Sequence, residues 1–282
     1  MFARNKEKRT MDQSAKRTTL LVLIVFAVCI GTAIGVFIKV DRSFDQLPHI
    51  THRAIPLNWA TNIKIGVIGD SWVSGKKLDG SIAEGLRNAG IEAEVVSSGQ
   101  PGANSRRIYR NMFLSESKPY CSSYIVMDED VDYLVVIAGV NDTIGHIGKE
   151  FYAHHIFCIV RAAQERGIHS VVLEVPEYGI EYAAEGFTSS GKHLIYKVLF
   201  DGMKDDVISD YREALQYELR NEIHDNVTMV HFWSYVEKRE LYANPTHLNA
   251  EGSQELGTLI AENIGRRHNH QLHLIAEKSG SR

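Results

Sequence analysis

The sequence predicts a doubly wound α/β sandwich on a mainly parallel sheet, preceded by one membrane-spanning helix. Three observations carry this. Strand-like apolar runs alternate with helix-like runs from residue 63 onward, polar or glycine-containing clusters follow several of the strands, and an uncharged apolar stretch fills residues 20–38. At 44% apolar and 23% charged over 282 residues, the composition is that of a globular chain and not of a disordered one. A formal net charge of -4 leaves no basic excess for phosphate backbones, so nucleic acid is not expected as a partner.

Residues 1–19 form a basic tail, with Arg4, Lys6, Lys8, Arg9, Lys16 and Arg17 against Glu7 and Asp12. The run LLVLIVFAVCIGTAIGVFI at 20–38 follows, and at about 1.5 Å per residue it reaches roughly 28 Å, the thickness of a hydrocarbon core. Its far flank, Lys39, Asp41 and Arg42, is close to charge balance, so the positive-inside bias keeps the N-terminus cytoplasmic and exports the rest to a periplasmic, extracellular or lumenal space. A cleaved signal peptide is the alternative, with Leu20 to Ile30 as its apolar region and Ala33 and Gly35 at small-residue positions; it exports the domain equally. Residues 39–60, with Pro48 and Pro56, read as a stalk; residues 61–268 read as the domain and 269–282 as a frayed tail.

Within the domain, IKIGVIG at 63–69 reads as a buried strand, followed by a helix over 76–88 that stops at Gly90. A strand at 92–97 and a helix at 105–114 come next. VDYLVVIAG at 131–139 is an almost unbroken apolar run, as a parallel strand buried on both faces requires. A helix over 149–166, a strand at 169–175, a helix over 204–222, a strand at 226–233 and a helix over 250–264 complete the alternation. Residues 176–204 break the rhythm, mixing Gly179, Gly186 and Gly191 with Tyr178, Tyr182, Phe187 and His193, which suits a functional flap. Cys29 lies inside the apolar run, and Cys121 and Cys158 make no disulfide framework; Cys158, in HHIFCIV, reads as a small core residue. His154 and His155 are adjacent and point about 100° apart on a helix, so no metal site is expected from them.

In a doubly wound sheet, ligands bind at the carboxyl ends of the strands, and polar clusters sit there: Gly69-Asp70-Ser71, Pro101-Gly102 and Gly139-Val140-Asn141-Asp142. A fourth, Asn244-Pro245-Thr246-His247, precedes the last helix. Ser71 leaves a buried strand in a tight turn before a helix, a place that exposes a nucleophile's Oγ; an N-cap serine would occupy the same place. His247, with an ordinary imidazole pKa of about 6.5, is the candidate general base. The stretch from Gly69 to Lys76 looks loosely like a phosphate-binding loop, but five residues separate its glycines and Lys77 stands where a Ser or Thr is needed.

These four blocks, in order over residues 63–264, resemble the SGNH hydrolase (GDSL-like lipase/esterase) family, whose pattern is GDS, a lone Gly, GxND and DxxH. The resemblance implies a three-layer α/β/α fold, no metal or other cofactor, and hydrolysis of acyl esters. It also implies an oxyanion hole of the Ser71 N–H, the Gly102 N–H and the Asn141 amide, donors of the kind whose single loss costs about two to three powers of ten in rate. The chain departs from the pattern at Asn244, where the family has the acid that orients the histidine. An amide oxygen can hold the ring but cannot offset the imidazolium charge. Either the chain works as a Ser–His pair helped by Asn244 or a backbone carbonyl, or another carboxylate such as Glu240 or Asp142 substitutes, or the site only binds. The expected substrate is a small-molecule or glycan ester, with an O-acetyl group on an envelope polysaccharide as the leading case. An O-acetyltransferase and a non-catalytic glycan-binding or assembly module stand as alternatives.

Overall fold

The computed structural model describes residue 19 and residues 21–26, 44–48, 62–113, 123–145, 147–176, 208–223, 225–232, 239–244 and 246–280. The chain divides into two compact units, Met1–Ser43 and Phe44–Arg282. In the first, residues 21–26 are helical and exposed. Among the described residues no helix is long and apolar enough to cross a membrane, and most of the 20–38 run lies outside them. The 177–207 stretch that holds the expected flap, and Cys29 and Cys121, also lie outside.

The second unit is built on a parallel five-stranded sheet of β1 (Asn62–Gly69), β2 (Glu92–Gly99), β3 (Tyr133–Ile137), β4 (His169–Leu173) and β5 (Val227–Val230), in the order β2-β1-β3-β4-β5. Around it, in chain order, are α1 (Ser71–Ser74), α2 (Asp79–Asn88), α3 (Ser105–Asn111), α4 (Ser123–Asp128), α5 (Val140–Ile144), α6 (Lys149–Glu165), α7 (Ile208–Leu219) and α8 (Ala250–Gly280). The chain reverses its direction across the sheet after β2, so right-handed crossovers place α2 on one face and the connecting helices α3, α6 and α7 on the other, and α8 returns to the face of α2 after β5. Accordingly α2 packs with α8, while α6 packs with α3 and α7. The central strands are apolar because both faces are covered: every residue of β3 and β4 is buried. The reversal between β1 and β3 is the topological switch point, where a crevice opens at the carboxyl ends.

Several boundaries differ from expectation. The helix expected over 76–88 starts later, at Asp79, because Lys76 adopts φ 53° between the short α1 and α2. The run 131–139 ends as a strand at Ile137, where Gly139 turns the chain at φ 121°. The tail expected to fray after His268 continues as helix to Gly280. Its root is held by buried Ile260, Ile264 and His268 and by Arg267 donating to the Asp225 carbonyl, and residues 266–279 contain neither Gly nor Pro. Residues 44–48, expected in a stalk, pack on the domain. The Asp45 carboxylate accepts from Arg106 and Arg110, its carbonyl meets His154 Nε2 at 2.6 Å, and Phe44 packs against Phe151 and His155. The Arg110 hydrogen bond holds the Asp45 carboxyl below its ordinary value, and burial pushes neutral His155 down to about 4. Cys158 is a buried free thiol, as a core residue should be. A short antiparallel pair, β6 (Tyr242–Asn244) and β7 (His247–Leu248), carries the C-terminal motif and was not foreseen.

Candidate active site

Ser71 is the first residue of α1, directly off β1. Its N-cap is Asp70, whose Oδ1 accepts from the Trp72 N–H at 3.0 Å, so the capping task that Ser71 could have had belongs to its neighbour. The turn is pinned to the sheet by the Asp70 N–H donating to the Ile137 carbonyl of β3 and the Gln100 N–H donating to the Gly69 carbonyl. The last residue of β2 must be glycine for the turn to fit. A Cβ on Gly99 would stand 2.3 Å from Ser74 N and 2.5 Å from the Asp70 carbonyl oxygen.

The β6–β7 pair brings His247 to Ser71, with Nε2 3.0 Å from Oγ. On the ring's other side Nδ1 lies 3.0 Å from Asn244 Oδ1, so the amide stands where the triad acid would. Its orientation is set by two donors: the Thr246 N–H, which can only donate, ends on the same Oδ1 at 3.0 Å, and the Thr246 hydroxyl lies 3.1 Å from it. The atom facing the ring is therefore an acceptor, Nδ1 carries the hydrogen, and Nε2 is left with a lone pair for the Ser71 hydroxyl. This is the tautomer a general base requires. The two carboxylates expected as possible substitutes do not serve. Asp142 is fully buried, accepting from the Ser105 hydroxyl at 2.6 Å and the Ser105 N–H at 3.0 Å, and neither it nor Glu240 forms an ion pair with His247 among the described residues.

The oxyanion donors are placed less simply. Asn141 sits on α5 at the end of β3 and donates both amide hydrogens, to Asp70 Oδ2 at 3.1 Å and to the Ala103 carbonyl at 3.0 Å. It is not the free donor expected from sequence, because the chain itself satisfies it. Gly102 lies in the exposed turn after β2 at φ 73°, with nothing within 4 Å of its missing Cβ. Its positive φ is one that an L side chain rarely adopts, which suits a glycine. Burial pushes Asp70 up to about 7 and Asp142 up to about 6, and repulsion from Asp142 adds to the rise at Asp70.

Three further residues hold the site together. Asp70 joins Trp72 to Asn141, Trp72 donates its indole N–H to the Thr246 carbonyl at 2.7 Å, and Thr246 contacts Asn244 and His247. Their adjacency to Ser71 and His247 was visible in the sequence, but the Trp72–Thr246 bond joins positions 174 residues apart and left no local signal. Among the described residues no three His, Cys, Asp or Glu side chains converge as a metal site.

No protein-family model and no curated protein matches the sequence. Solved structures do match. A Bacteroides fragilis acylhydrolase aligns with TM-score 0.50 and 15% identity over 73% of this chain and 88% of its own. The chain shares that protein's fold. A lipolytic G-D-S-L protein of Desulfitobacterium hafniense aligns at TM-score 0.49 and 16% identity over 73% of this chain and 99% of that one. The aryl esterase of M. smegmatis aligns at 0.49 and 14%, over 72% and 98%.

Proposed function

We propose that this chain is a serine esterase. His247 Nε2 takes the Ser71 proton as Oγ bonds to the acyl carbon, then returns it to the departing alkoxide; water, deprotonated by the same nitrogen, releases the acid and restores Ser71. The observation that carries the reading is the 3.0 Å contact of Ser71 Oγ with a histidine nitrogen whose tautomer makes it an acceptor. The Ser71 and Gly102 N–H groups make no hydrogen bond among the described residues and can serve a developing oxyanion; Asn141 joins them on giving up its Ala103 bond. The substrate we infer is an O-acyl, foremost O-acetyl, ester on an envelope polysaccharide or other glycan, met on the exported side by a domain anchored through residues 20–38. Transfer of the acetyl group to a sugar hydroxyl would use the same acyl-enzyme.

A second reading, a non-catalytic glycan-binding module, draws on two observations: both Asn141 hydrogens are occupied, and among the described residues no carboxylate pairs with His247. Treating the full-length chain with a fluorophosphonate and assaying p-nitrophenyl acetate separates them. An esterase is labelled at Ser71 and loses label and turnover in Ser71→Ala; a wild type that takes no label and hydrolyses nothing above background is the binding module.

A further inference from the structure

We propose that Thr246 is the positioning residue that lets an amide do the acid's work at His247, an inference that rests on the esterase reading. All three polar groups of Thr246 are engaged in the site. Its N–H donates to Asn244 Oδ1 at 3.0 Å; its Oγ1 lies 3.1 Å from that Oδ1 and 3.0 Å from His247 Nδ1; its carbonyl accepts the Trp72 indole N–H at 2.7 Å.

The need for such a residue follows from what an amide lacks. A carboxylate accepts through either oxygen, so its rotation changes nothing at the ring, whereas an amide turned by 180° presents N–H groups to Nδ1. Nδ1 would then have to accept, Nε2 would carry the hydrogen, and the Ser71 hydroxyl would face a donor instead of a base. Two Thr246 hydrogens, on N and on Oγ1, hold Oδ1 toward the ring against that turn. The Oγ1 lone pair also faces Nδ1–H, giving the imidazolium a second neutral acceptor as it forms. Through its carbonyl and Trp72, the neighbour of Ser71, the same residue ties the histidine's turn to the nucleophile's. Orientation, tautomer and Ser–His distance thus meet in one side chain and its peptide groups.

The test is a cycle of Thr246→Val and Thr246→Ser in the full-length wild type and in Asn244→Asp, reading kcat and KM and the ring 15N signals of His247, assigned by difference from His247→Gln. In wild type, Thr246→Val should lower kcat about tenfold, the rate equivalent of one lost hydrogen bond, leave KM unchanged, and convert a single Nδ1–H tautomer into a mixture. Thr246→Ser should restore both. In Asn244→Asp, Thr246→Val should change kcat by less than about threefold, since a carboxylate needs no help with orientation. Equal losses in both backgrounds, or an unaltered tautomer in Thr246→Val, would overturn the proposal. If the wild type takes no fluorophosphonate label, the esterase reading fails on its own, while the tautomer, measured without turnover, still decides for or against Thr246.

Discussion

Replacing Gly99 by alanine should disable the nucleophile's turn without touching any reacting atom. The added Cβ would stand 2.3 Å from Ser74 N, 2.5 Å from the Asp70 carbonyl oxygen and 2.7 Å from the Val73 carbonyl carbon, where ordinary contact begins near 3.4 Å. All three are backbone atoms, so no side chain can swing aside. The turn moves as a unit, because the Asp70 carbonyl accepts from both Val73 N and Ser74 N at 3.2 Å, and it must retreat by about 1 Å. That would stretch the 3.0 Å Ser71–His247 contact to about 4 Å, past hydrogen-bonding range. A misplacement of about 1 Å costs on the order of a hundredfold in rate. Overpacking of this kind costs about 1–3 kcal/mol, or about 2–12 °C in Tm for a domain of this size. The assays are the rate of fluorophosphonate labelling at Ser71 and a thermal melt. Gly80→Ala is the control, since nothing lies within 4 Å of its Cβ and it sits in α2; it should label normally and melt no lower than wild type. A Gly99→Ala variant labelled at the wild-type rate would refute the packing argument.

Three other expectations follow from the site. Asn244→Asp should raise kcat by only about tenfold, because the exposed amide already selects the working tautomer and the carboxylate adds charge alone; a gain near four powers of ten would mean that the amide faces the ring with its nitrogen. Trp72→Phe removes the donor to the Thr246 carbonyl and should lower kcat several-fold with KM held, at a cost of about 1 kcal/mol in a denaturant melt; an unchanged kcat would show that β6–β7 needs no such tie. The buried acids set a pH dependence of stability. Asp70 near 7 and Asp142 near 6 both lie above the ordinary 3.8, so they favour the folded state below about pH 4, and that contribution is lost as pH rises through 6 to 7. For Asp70 the loss is on the order of 4 kcal/mol. Asp142→Asn keeps an acceptor for Ser105 and relieves the repulsion on Asp70, so its stability should fall less between pH 5 and pH 8 than the wild type's; parallel curves would contradict this.

What the sequence determined by itself was whatever is written in short windows. The apolar runs at 63–69, 131–139 and 169–175 were legible as buried strands because both faces of a parallel strand must be apolar, and Ser71 and His247, which the fold brings within 3.0 Å, could be singled out by residue type next to a strand end or a helix start. The missing acid at Asn244 could also be read directly. Tertiary structure alone decided how that gap is filled, since the Thr246 contacts depend on the β6–β7 pairing and on Trp72, remote in sequence. It alone decided that Asp142 is spent on Ser105 and Asn141 on Asp70 and Ala103. It also decided the reason for each glycine: Gly99 is fixed by backbone from another element, Gly102 by its own φ. Periodicity and residue type report how a segment meets solvent or core. Which donor meets which acceptor is fixed only when distant segments close around the same few ångströms.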